Sequence, residues 1–84
     1  MKNIRFTRHA LLRCPQRGTN QEEVREVVQT GSRESAKEDR LICRKNFEYN
    51  ADWQGTFYRI KQVAPVIVET DTEIVVITVY TFYL

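Results

Sequence analysis

In the first third of the chain apolar residues recur at helical spacing, and from Leu41 onward they recur at every second position. The pattern predicts a helical segment followed by a strand-rich one. Thr7 can cap a helix from Arg8 to Arg17, with Phe6 and Leu11 as a hydrophobic staple and Gly18 as a left-handed stop. Pro15 removes the hydrogen bond to the Leu11 carbonyl, which predicts a kinked or shortened last turn. Thr19-Asn20-Gln21-Glu22 reads as a capping box for a second helix, whose Val24, Val27 and Val28 share a face and whose stop is Gly31.

Leu41 to Tyr49 alternates as a strand, and the turn-forming residues from Asn50 to Gly55 lead into another from Thr56 to Val63. Pro65 should interrupt or bulge the pairing before Val66 to Glu69, and Asp71-Thr72 makes a tight turn into Ile74 to Phe82. That last segment is apolar on both faces and reads as a central strand covered on two sides. The expected fold is α+β, with two N-terminal helices packed on one face of an antiparallel sheet of about four strands. Val24, Val27, Val28, Ile60, Val75, Ile77 and Val79 are the expected core.

Composition bounds what such a fold can do. Eighty-four residues, 42% hydrophobic and 29% charged, suit one domain over residues 1–84 and leave little volume for an enclosed cavity, so a shallow groove is expected. No apolar stretch of signal or membrane length occurs, which predicts a cytoplasmic protein without a membrane partner. Cys14 and Cys43 stand alone with a single histidine, so reduced buried thiols are expected, with no metal and no cofactor.

Charge is mild in sum, +2, and uneven along the chain. Residues 1–21 carry Lys2, Arg5, Arg8, Arg13 and Arg17 with no acid, and residues 40–61 carry Arg40, Arg44, Lys45, Arg59 and Lys61 against Glu48 and Asp52. Such concentration is the pattern of a one-sided nucleic-acid footprint, or of solvated surfaces. On the first helix His9, Arg13 and Arg17 fall within a stripe roughly 80° wide at about 100° per residue. Guanidiniums hold phosphate and stabilise a charged transition state, while imidazole serves as acid or base near neutrality. Lys45, Arg59 and Lys61 lie on otherwise apolar strand faces, and Thr78 and Tyr80 share a face of the final strand. Those cations either snorkel from an edge or complete a site. Trp53, Phe57, Tyr58, Tyr80, Phe82 and Tyr83 can serve both a core and base stacking.

The sequence has no Gly-rich phosphate loop, no nucleophile elbow and no paired carboxylates in a pocket motif. RNA cleavage still needs only a base, an acid and cations, because the substrate carries its own 2′-hydroxyl nucleophile.

The string Phe6-Thr7-Arg8-His9-Ala10 with Arg13, Gln16-Arg17-Gly18 and Ile77-Thr78-Val79-Tyr80 resembles an uncharacterised prokaryotic family catalogued as domain of unknown function 4258. The resemblance covers nearly the whole chain and implies the compact two-helix, four-stranded fold of RelE-like and barnase-like toxins. It carries over His9, Arg17, Thr78 and Tyr80 as site residues. The expected function is a metal-independent ribonuclease of toxin type: His9 as base or acid, Arg17 and Arg13 as phosphate clamps, Lys45 or Tyr80 completing the site. Arg8, Arg40, Arg44, Arg59, Lys61 and Thr78 are the expected RNA contacts. The alternative is a non-catalytic module binding RNA or an acidic protein with the same basic face. RNA, an antitoxin protein and a second copy of the chain are the expected partners.

Overall fold

The computed structural model describes residues 2–84. Seven elements follow in order: β1 (Asn3–Phe6), α1 (Arg8–Gln16), α2 (Gln21–Thr30), β2 (Ser32–Ser35), β3 (Leu41–Trp53), β4 (Thr56–Glu69) and β5 (Glu73–Tyr83). The strands form one sheet in the order β1-β5-β4-β3-β2. β1 runs parallel to β5, and every other pair is antiparallel. The fold is thus α+β, but the sheet is five-stranded and mixed where four antiparallel strands were expected, and one strand precedes the helices. The expected strands Thr56–Val63 and Val66–Glu69 are one, β4, and the two unforeseen strands are edges of four residues, too short to show a period. β1 buries only Ile4, and β2, Ser-Arg-Glu-Ser, buries nothing and is held by its backbone ladder to β3.

α1 starts where β1 ends because Thr7 satisfies three backbone groups at once. Its hydroxyl accepts from the Ala10 N–H at 3.1 Å and donates to the Ile77 carbonyl at 3.0 Å, while its own N–H donates to the Val76 carbonyl. Despite Pro15 the helix continues to Gln16, with Arg17 as its C-cap and Gly18 at φ 76°. α2 is capped by Asn20, one residue later than expected, whose side chain accepts from the Glu23 N–H at 2.8 Å. Gly31 is the C-cap of α2, as expected, at φ −77°. It is glycine because a β-carbon there would overlap the Arg44 and Val27 carbonyls.

Asn50 to Trp53 continues β3 instead of forming a loop, through a bulge between Glu48 and Ala51 with Asn50 at φ 48°. The hairpin turns on Gln54 and Gly55, both left-handed. Pro65, expected to interrupt or bulge the pairing, does not end β4: it pairs with Val79 of β5, and on the β3 side the register is unchanged from Lys45↔Val63 to Ile42↔Val66. Thr70 closes the turn into β5 by donating its N–H to the Glu73 carbonyl at 2.9 Å.

A second bulge decides which residues reach the core. Thr78 pairs with Val66 and Val76 with Ile67, so Ile77 is an extra residue and the alternation of β5 reverses across it. Ile74, Val76 and Val79 therefore face the helices, where they pack with Ile4, Ala10, Cys14, Val24, Val27, Val28, Cys43, Val63 and Ile67. Val75 and Ile77, expected in the core, are half-buried on the other face, and Ile60 is half-buried too. Both helices contribute to this one core face. The expected cover on two sides of β5 is thus found on one. The two cysteines are buried and unlinked. Among the described residues no helix is long and apolar enough to cross a membrane.

Candidate functional site

β1 pairs only with the first four residues of β5, and beyond Phe6 the chain turns into α1, which takes its place along the β5 edge. This exchange brings the polar stripe of α1 against Thr78 and Tyr80. His9 Nε2 lies 3.1 Å from Thr78 Oγ1, and the Arg17 guanidinium lies over the Tyr80 ring with its carbon 5.9 Å from the ring centre. Arg13, between them on the helix, donates to the Gln16 side-chain carbonyl. His9, Arg13, Arg17, Thr78 and Tyr80 therefore form one rim where α1 meets the sheet, with His9, Arg17 and Tyr80 exposed and Arg13 and Thr78 half-buried.

The rim is electrostatically unbalanced. Lys2, Arg5, Arg33, Arg40, Arg44, Lys45 and Lys61 each hold a carboxylate partner. Among the described residues no such partner within 4.0 Å is found for Arg8, Arg13, Arg17, Arg25, Lys37 or Arg59, and of these Arg13 and Arg17 stand at the rim. Arg13 and Arg17 lie four residues apart on one side of α1 and repel one another unless an anion joins them, so their surface favours a phosphate or carboxylate ligand. Arg8 lies roughly 180° around the helix from Arg17 and is not part of it.

Arg17 is held by Thr81, which the sequence pattern did not single out, and by Tyr83, which it named only for its ring. Its carbonyl accepts from the Thr81 hydroxyl at 2.8 Å and from the Tyr83 hydroxyl at 2.7 Å. Burial pushes the Tyr83 phenol up from its ordinary value, so it remains a donor. Tyr83 is in turn stacked on Trp53 with centres 4.8 Å apart and flanked by Tyr49 and Tyr58. Gly18 passes close over this cluster, and a β-carbon would overlap the Tyr83 hydroxyl and the Trp53 ring. The signal for these roles was the shared face of Thr81 and Tyr83, which becomes readable only once the bulge at Ile77 has fixed the parity of β5.

The middle-strand cations do not converge on the rim. Lys45 donates to Thr30 Oγ1 at 2.8 Å and pairs with Glu26 at 2.7 Å, tying α2 to β3. Lys61 is buried, bonded to the Gly18 carbonyl at 2.9 Å and to Glu23 at 2.8 Å. It is a structural residue beneath the α1–α2 turn and offers nothing to a surface ligand. Arg40 pairs with Glu38 in the β2–β3 connection, and Arg59 is exposed on β4 toward the hairpin. Arg44 lies on the opposite sheet face, bonded to Glu34 and Gln62, with its guanidinium carbon 5.6 Å from the Phe82 ring centre. Arg8 is exposed in the first turn of α1.

Burial raises both thiols, Cys14 and Cys43, so neither is poised as a nucleophile. Among the described residues no group of three His, Cys, Asp or Glu side chains could hold a metal ion. Comparison with family models, with curated proteins and with solved structures found no match.

Proposed function

We propose that the chain is a metal-independent ribonuclease of toxin type, acting at the α1 rim. The observation that carries this reading is the pair of guanidiniums, Arg13 and Arg17, that lack carboxylate partners beside an exposed imidazole and an exposed phenol. In this mechanism His9 takes the proton of the 2′-hydroxyl, whose oxygen attacks the adjacent phosphorus. The bond to the 5′-oxygen breaks, and the Tyr80 hydroxyl gives that leaving oxygen its proton. A 2′,3′-cyclic phosphate and a 5′-hydroxyl result. Arg17 and Arg13 bear the charge that accumulates on the phosphorane oxygens. Thr78 orients the ring through its contact with Nε2, and Lys45 has no part in the reaction.

A second reading, a binding module that holds RNA or an acidic protein without cutting, is favoured by the same contact if Thr78 keeps Nε2 engaged. The two separate on one variant. His9→Ala should leave folding and RNA affinity nearly unchanged and lower cleavage by roughly 100- to 10,000-fold. Arg17→Ala should lower affinity and cleavage together. Unchanged cleavage by His9→Ala would remove the catalytic reading, and intact RNA with the wild-type chain bound would install the second. Two phosphate contacts, at Arg13 and Arg17, should give a log–log salt slope of about −1.4 on single strands.

A further inference from the structure

The aromatic residues sort into two populations. Trp53, Tyr49, Tyr58 and Tyr83 pack on one another beneath Gly18. Tyr80 and Phe82 instead stand two residues apart on β5, 41% and 43% exposed, on the sheet face that the helices leave open. Register defines their surroundings. Tyr80 shares a row with Ala64, and Phe82 shares one with Gln62 and Asn46. Ala64 is fully buried although it lies on the face away from the helices, so larger neighbouring side chains cover it and the rings stand on a closed surface.

Cations close both ends of this strip. Arg17 reaches Tyr80 from the α1 rim, and Arg44 reaches Phe82 from β3. Arg44's carboxylate partner Glu34 is largely exposed, and a surface pair of that kind is worth little against a phosphate. Gln62 and Asn46, bonded to each other at 2.9 Å, present amides beside the second ring. Side chains two apart on a strand stand about 7 Å from each other. That is twice the ~3.4 Å spacing of successive nucleotides in a helix, so the two rings suit bases that have been pulled apart.

We infer that this open face is a track for single-stranded RNA, with two successive unstacked bases on Tyr80 and Phe82 and the backbone held between Arg17 and Arg44. The inference rests on the RNA reading above and is independent of cleavage. A duplex, whose bases are paired and stacked, cannot use the rings.

The probe is a 2′-O-methyl oligouridylate, which binds but lacks the nucleophile, compared with a blunt RNA duplex of equal length and an oligoglutamate of equal charge. The single strand should bind tightest. Phe82→Leu should weaken it by about 5- to 150-fold, the range for losing one stacked base. Phe82→Tyr should retain affinity, and Phe57→Leu, at an exposed aromatic off the track, should do nothing. A melting curve shows whether each variant folds. Equal binding of duplex or oligoglutamate, or a neutral Phe82→Leu in a folded protein, overturns the track. If unmodified RNA is cut while Phe82→Leu is neutral, the track falls and the nuclease stands. If the strand binds as described and unmodified RNA stays intact, the nuclease falls and the track stands.

Discussion

A backbone carbonyl organises the rim: the oxygen of Arg17 takes two hydroxyl bonds from β5, and its side chain is thereby aimed across Tyr80. Lys61 supports the same turn from inside through the adjacent Gly18 carbonyl. Lys61→Ala would leave that carbonyl and Glu23 without their shared donor in a buried setting. It should cost about 2–3 kcal/mol, somewhat below a fully buried pair because Glu23 keeps some solvent contact. Urea unfolding checks this, and a loss under 0.5 kcal/mol would show the ammonium to be replaceable by water. The spacing of His9, Arg13 and Arg17 was legible in the sequence, because one helix sets it. The separation of Lys61 from Arg44 was not. Both are cations in strands, and only register assigns one to the core face and the other to the open face.

Among the elements, β5 carries both the core and the rim, and its bulge sets the hand-over between them. Simple alternation placed Val75, Ile77 and Val79 on one face, whereas the unpaired Ile77 puts Val76 and Val79 together. A single extra residue leaves no mark in a run that is apolar throughout. The consequence is measurable. Ile67→Ala, at a fully buried position, should destabilise by about 2–5 kcal/mol. Ile77→Ala, half-buried on the open face, should cost about 1 kcal/mol or less. Reversal of that order in denaturant titrations would place the bulge elsewhere. The helices were readable because their caps are local chemistry. The edge strands were not, because β1 and β2 owe their conformation to ladders with residues far along the chain.

For the molecule as a whole, Glu69 is a junction. At the end of β4 it accepts from Lys2, beside β1, and from Arg33, on β2, so one carboxylate joins the two edges of the sheet. The bond from Lys2, then that from Arg33, lowers its pKa below the ordinary 4.5. A lowered folded-state pKa contributes stability that is present at neutral pH and lost as the pH falls through that value. The wild-type melting temperature should therefore drop on acidification from about pH 6 to about pH 3 by more than that of Glu69→Gln. Equal drops would show the junction to be inert.

The pairing of β1 with β5 also fixes when the rim can exist. Thr7 is joined to Ile77 across 70 residues, and everything that follows Thr7 in α1 inherits its position from that bond. Thr78 follows His9 by 69 residues, so during synthesis the histidine and the arginines of α1 emerge well before their strand partners. Contacts of such long separation form slowly. A chain in which β5 has not yet docked therefore carries the cationic helix without its strand partner, and the rim comes into being only with that pairing.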